Sequence, residues 1–381
     1  MSFDFLHGLG TFGIIPFLVV LTIVVFFHEF GHFLVARWCG VKVLTFSIGF
    51  GPELFGFNDR HGTRWKVCAI PLGGYVKFFG DENAASVPDH AAAAAMSEAD
   101  RQVSFVHKGV GSRAAVVVAG PIANFILAIV IFAGIFMSIG RQVMPARVDA
   151  VQPDSAAAAA GLKPGDLIVA IDGRPIDGFS DMQRIIAGSA GRTLTLTIDR
   201  GGMREDIKAT PTRRGFCNAV LGISKLPSDD VKVKTESPGT AVALGVEETY
   251  FVVERSLCFV AGIIVGRESA NQLGGPIRIA EVAGDAWNSG LDSGGIGTAI
   301  TYLLNLSAFL SASIGLLNLF PIPLLDGGHL LFYAIEAVRG RPLSERAQEV
   351  GFRIGLAIVV MLMIFAAYND ISGLLHRAVS Q

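Results

Sequence analysis

Charge is scarce in this chain: 17% of residues are Asp, Glu, Lys or Arg, and the formal net charge is −2. No run of Lys or Arg offers a phosphate-binding surface, so a nucleic-acid partner is not expected. Cysteine is scarce too. Cys39, Cys68, Cys217 and Cys258 are scattered without a CxxC pair, so neither a disulfide framework nor a thiolate metal site is indicated, and all four read as packing residues. No Lys or Arg precedes the first apolar block, which therefore lacks the basic start of a signal peptide and reads as a retained segment.

What fills the chain instead is apolar. Hydrophobic residues make up 51%, mean hydropathy is +0.52, and the apolar residues come in blocks that need lipid. Four of them, Phe12–Ala36, Ala114–Ile139, Ala299–Phe320 and Val350–Ala367, are long enough, or nearly so, for a helix to cross a hydrocarbon core of about 30 Å. The expected fold is a multi-pass α-helical membrane protein with four transmembrane helices. It divides into an N-terminal membrane domain (1–139), a soluble α+β module (140–228), membrane-surface helices (229–298) and a C-terminal membrane domain (299–381). The stretch from Arg37 to Arg113 holds nine Lys/Arg, both ends included, and Arg339, Arg341 and Arg346 follow the third block; an excess of positive charge marks cytoplasmic loops. By alternation the N-terminus, the soluble module and the C-terminal tail are expected on the opposite side, which for a bacterial plasma membrane is the periplasm or cell exterior.

The chemistry begins at His28-Glu29-Phe30-Gly31-His32, near the end of the first block. Residues four apart share one helix face, so two imidazoles can grip a single zinc ion while Glu29 reaches a water on the metal. An accidental HExxH in a chain this long has a chance of roughly one in a hundred. Two His and a Glu inside an apolar helix are costly unless paired or metal-bound, which makes them functional candidates.

A catalytic zinc takes three protein ligands plus water. The best third candidate is Asp326, in the stretch Asn318 to His329 that follows the third block. Pro321 and Pro323 break the helix there, and Gly327 and Gly328 permit a tight turn. Alone, Asp326 reads equally well as a helix-terminal turn residue; beside HExxH, metal ligation is the better reading, with His329 ranked second. Val43–Phe79 contains two strand-like runs, and Trp65–Ile70 partly alternates, which predicts a β-hairpin. Asn124, beside Pro121 in the second block, reads as an interhelical hydrogen-bonding amide rather than a catalytic group.

In the soluble module, a Pro164-Gly165 turn, an apolar run over Leu167–Ile171 and an Asp172-Gly173 turn predict a β-rich fold, with a helix over Asp181–Ala190 and a strand over Arg192–Asp199. Asp81–Ser104 is Ala-rich and reads as a mobile cytoplasmic linker or lid. Pro238–Trp287 holds an apolar run interrupted by Glu254 and Arg255; it is too charged for a fifth span and predicts helices on the outer membrane surface, with Gly274-Gly275-Pro276 as a turn.

Seven stretches together, HEFGH (28–32), FSIGFGP (46–52), IPLGGYVKFFG (70–80), GPIANFILA (120–128), LGGPIRIA (273–280), NLFPIPLLDGGHLLF (318–332) and YNDI (368–371), resemble the site-2 protease family of intramembrane zinc metalloproteases, peptidase family M50, and within it the RseP-type regulators of sigma-E. The resemblance covers nearly the whole chain. It implies Zn2+ as cofactor, His28, His32 and Asp326 as ligands, and Glu29 as the base, inside the bilayer near its cytoplasmic face. It also implies that the hairpin dips into the membrane beside the metal, with Gly49, Phe50 and Gly51 facing substrate. Asn318 would bind the substrate backbone or a developing oxyanion, a helix-capping role standing beside this, and Pro321 and Pro323 belong to the same substrate-binding stretch. Asn369 and Asp370 are expected to anchor the structure.

The soluble module resembles a PDZ domain, present once where the best-known RseP-type proteins carry two, and able in principle to bind an extended peptide or screen a substrate ectodomain. The implied substrates are single-span membrane proteins already shortened by another protease, such as anti-sigma factors or remnant signal peptides. Two rivals stand beside this reading: a non-catalytic PDZ-bearing membrane scaffold, which would not need Glu29, and a membrane enzyme acting on lipid, which would leave a peptide-binding module unexplained.

Overall fold

The computed structural model describes residues 11–80, 95–224 and 232–380, and the chain separates into two compact units, 1–132 with 271–381, and 133–270.

The first unit opens with α1 (Thr11–Trp38). It is followed by β1 (Val43–Asn58) and β2 (Arg64–Phe78), the expected hairpin. Each strand is long and folded rather than straight. Gly49 and Gly51, both at φ 85°, break β1 midway, in a region of backbone space that favours glycine. As a result Val43–Ile48 pairs with Gly74–Phe78, Glu53–Asn58 pairs with Arg64–Cys68, and the inner halves meet where Thr45 and Ile48 face Arg64 and Val67. The outer segments of this small sheet are Glu53–Asn58 and Gly74–Phe78. Its buried side, Val43, Phe46, Val76 and Phe78, packs with Phe33, Phe105 and Val116, and Phe46 stacks on Trp65 at 4.3 Å. Leu54, Phe55 and Phe57 are 71%, 66% and 52% exposed. Most of the segment read as a linker lies outside the described residues; its end forms α2 (Glu98–Val103), capped by Ser97. α3 (Val110–Ser138) follows.

The second unit contains β3 (Arg141–Val143), β4 (Ala150–Val151), α4 (Ala156–Ala159), β5 (Leu167–Ile171), β6 (Arg174–Pro175), α5 (Phe179–Ala187), β7 (Leu194–Arg200), β8 (Met203–Ala209), β9 (Thr212–Arg213), β10 (Ala219–Val220), β11 (Ile223–Ser224), β12 (Lys232–Lys234) and α6 (Pro238–Ile264). Its main sheet has the antiparallel order β6-β5-β7-β8. Along β7 the buried positions Leu194, Leu196 and Ile198 alternate with half-exposed Thr195 and Thr197, the period-two pattern of a strand with one face on a core. Ile168, Ile171, Met182 and Ile186 complete that core. The predicted strands and helix of the module are present.

The cysteines require a correction. Cys217 and Cys258 form a disulfide across 41 residues of sequence, whereas Cys39 and Cys68 are free. Spacing carries no sign of the pair because the fold brings them together, laying the loop before β10 against α6. Arg255 donates to the Cys217 carbonyl at 2.9 Å, and the Phe216 N–H donates to Glu268 Oε1 at 3.1 Å.

The rest of the first unit is helical: α7 (Pro276–Gly294), α8 (Ile296–Asn318), α9 (Asp326–Arg339) and α10 (Glu345–Ser380). Among the described residues four helical segments are long and apolar enough to cross a membrane, namely Gly13–Trp38, Val110–Ser138, Ile296–Asn318 and Glu345–His376. They correspond to the four apolar blocks. α10 exposes Ile354, Leu356, Val360, Met361, Met363 and Ile364, a surface suited to lipid and not to water. Near its end, Asp370 accepts from the Gly275, Ile277 and Arg278 N–H groups at 2.8, 3.1 and 3.3 Å, and Asn369 donates to the Leu273 carbonyl at 3.1 Å. The two residues cap the start of α7.

Candidate metal centre

His28 and His32 project from α1 one turn apart, with ring centroids 4.8 Å apart. Two glycines let this stretch meet α3 closely. A Cβ on Gly31 would lie 2.7 Å from Ala123 Cβ, and one on Gly120 would lie 2.8 Å from His28 Cε1. Small residues at such crossings allow helix backbones to approach in lipid. Here the approach also leaves room for the imidazoles.

Asp326 arrives from the other end of the chain. α8 ends at Asn318, and the chain turns back through Pro321 and Pro323, with Leu324 at φ 113°. Such a conformation costs a non-glycine residue about 1–3 kcal/mol and is held only by its surroundings. Gly328 fits against the Ile322–Pro323 backbone, where a Cβ would come within 2.5 Å of Pro323 Cα. The turn sets Asp326 at the first position of α9, a place that favours a carboxylate.

His28 Nε2, His32 Nε2 and a carboxylate oxygen of Asp326 all lie within 4.8 Å of one another. His28 Nε2 is 3.2 Å from His32 Nε2, and Asp326 Oδ2 is 3.2 and 3.6 Å from the two nitrogens. Asp326 Oδ2 is nevertheless buried without a hydrogen-bond donor. His32 Nδ1 stands 2.9 Å from the Val116 carbonyl, which can only accept; that nitrogen therefore carries a proton, and in the neutral ring Nε2 keeps its lone pair. Two imidazole nitrogens and a carboxylate facing one point fit the donor set of a three-coordinate protein site for a divalent cation.

These groups open into one cavity with Glu29, Asn318, His329 and Tyr333. Asn318 Nδ2 is 3.4 Å from His28 Nε2. His329 is in the wall, its ring against Phe352 at 5.4 Å, and is not one of the three converging donors. The outer edge of β2, Gly73 to Val76, also lines the cavity. Gly49, Phe50, Gly51, Pro321 and Pro323 are not among its lining residues; Phe50 stacks on Tyr75 at 5.9 Å, and Pro323 packs against Gly355.

Sequence reasoning passed over Gly74, Tyr75 and Gly120. The signal for Gly73 and Gly74 was present, since a glycine pair inside a strand marks close approach by another group. Asn124, read as an interhelical amide, stands 3.2 Å from His28 Nδ1.

Comparison with known proteins identifies the family. The model of Peptidase family M50 matches residues 16–362. A protein of Agrobacterium fabrum named Putative zinc metalloprotease is 48% identical over 377 residues, covering 97% of this chain and 98% of that protein. Metalloprotease MmpA of Caulobacter vibrioides is 40% identical over 380 residues, covering 94% and 95% of the two chains. A Rickettsia conorii protein, again named Putative zinc metalloprotease, is 36% identical over 374 residues, covering 95% and 99%. The chain belongs to peptidase family M50, the site-2 protease family.

Proposed function

We propose that this peptidase uses zinc held by His28, His32 and Asp326 to hydrolyse peptide bonds within or near the transmembrane segments of single-span membrane proteins. The observation that carries the reading is the meeting of three ligand atoms within 4.8 Å, two of them on a helix long and apolar enough to span a membrane, in a cavity shared with Glu29. Zinc, when bound, supplies Lewis acidity toward a peptide carbonyl and a water acidic enough to lose a proton near neutral pH. Glu29 takes the proton from the attacking water and returns it to the leaving amine as the C–N bond breaks. The Asn318 amide is placed to donate to the carbonyl oxygen as it gains charge. A substrate segment unwound from its helix loses its backbone partners in lipid, and the outer edge of β2 at Gly73–Val76 offers replacement main-chain groups. The cavity wall favours this edge over the Gly49–Gly51 turn.

The second unit is proposed to be a PDZ-like module that screens the substrate ectodomain. Its disulfide favours an oxidising compartment, and the free Cys39 and Cys68 in the first unit suit loops on the reducing side. This supports placement in a bacterial inner membrane with the second unit in the periplasm and the catalytic cavity toward the cytoplasmic face. The exposed Leu54, Phe55 and Phe57 support insertion of the hairpin into lipid. Anti-sigma factors and remnant signal peptides remain the proposed substrates. The alternative, a scaffold without catalysis, gives no reason for a carboxyl at Glu29.

The test is cleavage of a tagged single-span protein in proteoliposomes by wild type and Glu29→Gln, with zinc content measured in both. Loss of cutting with zinc retained is expected. Equal cutting by the two proteins would remove the assigned chemistry.

A further inference from the structure

The side chain of Asn124 is fully buried on α3, and its position is fixed from three directions. Its backbone carbonyl accepts from Ser311 Oγ of α8 at 2.8 Å. Gly315 of the same helix lies so close that a Cβ there would be 3.1 Å from Asn124 Cβ. Its amide stands 3.2 Å from His28 Nδ1. One atom of that amide lacks a partner: Oδ1 is buried without a hydrogen bond.

The two nitrogens of His28 have different tasks. Nε2 faces Asp326 Oδ2 and His32 Nε2, each 3.2 Å away. A ligating nitrogen must offer a lone pair, so the neutral ring carries its proton on Nδ1, and a buried N–H needs an acceptor. His32 meets the same need with the Val116 carbonyl at 2.9 Å. At His28 the group standing at Nδ1 is the Asn124 amide. The atom placed there is Nδ2; oxygen and nitrogen of a carboxamide share nearly one outline, so turning the group over puts Oδ1 against Nδ1–H and gives that buried donor its acceptor.

We infer that Asn124 is a positioning residue for the metal: its amide oxygen accepts the Nδ1–H of His28 and holds the ring in the tautomer that presents Nε2. The inference rests on the reading that His28, His32 and Asp326 bind zinc. Asn124 touches neither substrate nor metal and acts through His28.

The experiment measures the affinity of full-length protein in detergent for Zn2+, by competition with a chromophoric chelator, for wild type, His28→Ala, Asn124→Leu and Asn124→Asp. Melting of each variant is followed alongside. Leucine keeps the size and removes the acceptor; aspartate keeps an acceptor and removes the amide donor. Losing a hydrogen bond that orients a ligating imidazole weakens metal binding about 10–100-fold, so Asn124→Leu is expected to fall by that factor and Asn124→Asp to bind at least as tightly as wild type. Unchanged affinity in Asn124→Leu would overturn the inference, and so would a loss in an Asn124→Asp variant that melts like wild type, since it keeps the acceptor and lacks only the donor. Should Asn124→Leu fail to fold, the aspartate variant decides alone. If wild type binds zinc no better than His28→Ala, the metal reading itself falls.

Discussion

Gly74 leaves no room for a side chain beside Glu29: a Cβ on Gly74 would lie 3.2 Å from Glu29 Cγ, 3.0 Å from Val25 Cγ1 and 2.7 Å from the Ser47 carbonyl. The strand edge and the carboxyl-bearing face of α1 therefore touch through a bare backbone. Any branched residue at this position must push either the base or the sheet out of place.

Gly74→Val is expected to lower cleavage by about 100-fold, the scale on which a misplacement of about 1 Å at a reacting group acts. Zinc content should stay at the wild-type level, since the three atoms nearest an added Cβ belong to Ser47, Val25 and Glu29 and to none of the three ligands. Initial rates on a tagged single-span substrate, measured beside metal analysis, check both halves. A variant that cuts normally would show that this edge is free to recede.

Much of the centre was legible because its residues are costly to hold in lipid for any other purpose. His28, Glu29 and His32 stand out in an apolar run, and the helix-breaking Pro321 and Pro323 pointed to the turn that carries Asp326. What could not be read was contact between distant segments. The tie between Asp370 and the start of α7 joins two motifs, LGGPIRIA and YNDI, that show no link in sequence. The Cys217–Cys258 pair was missed for the same reason. Within the hairpin, the motif around Gly49–Gly51 drew attention, but only the folded register shows that Gly73–Val76 form the cavity wall.

The disulfide should matter to the second unit as a cross-link on its unfolded chain. Closing a loop of this length typically contributes about 2–4 kcal/mol, so Cys217→Ser is expected to lower the unfolding midpoint of the full-length protein by several degrees. A thiol-alkylation mass assay under denaturing, non-reducing conditions should label two cysteines, Cys39 and Cys68, and label four after reduction. Four labels before reduction would rule out the bridge.

Asp166 closes the turn between Lys163 and β5, accepting the Lys163 N–H at 2.8 Å and taking a two-pronged contact from Arg200, Nε at 2.7 Å and Nη2 at 2.8 Å. The Arg200 hydrogen bonds hold its carboxyl below the usual carboxylate range, against the opposing effect of burial. A carboxyl depressed in the folded state contributes stability above its unfolded pKa of about 3.9, and that contribution is lost as pH falls through the lower folded value. Asp166→Asn is expected to cost about 2 kcal/mol at pH 7, in the range for hydrogen bonds to a charged group. The gap from wild type should narrow steadily below about pH 4. Paired denaturant unfolding curves at several pH values test this, and a gap independent of pH would refute it.

Asp370 makes the most exacting prediction about the frame around the site. Its two oxygens accept three N–H groups at the start of α7, from Gly275, Ile277 and Arg278, where the helix has no carbonyls of its own to offer. Gly275 allows the approach, since a Cβ there would lie 2.7 Å from Asp370 Oδ2. Asp370→Ala would leave these donors without their acceptor at about 1–3 kcal/mol and would remove a favourable charge at the helix N-terminus. Asp370→Asn keeps one accepting oxygen but turns an N–H toward another N–H, so its cost should fall between wild type and alanine. Amide hydrogen exchange at 275–279 should rise in that order, while exchange in α3 stays unchanged. If the alanine variant exchanges there as slowly as wild type, α7 is held by its packing alone and the carboxylate is dispensable.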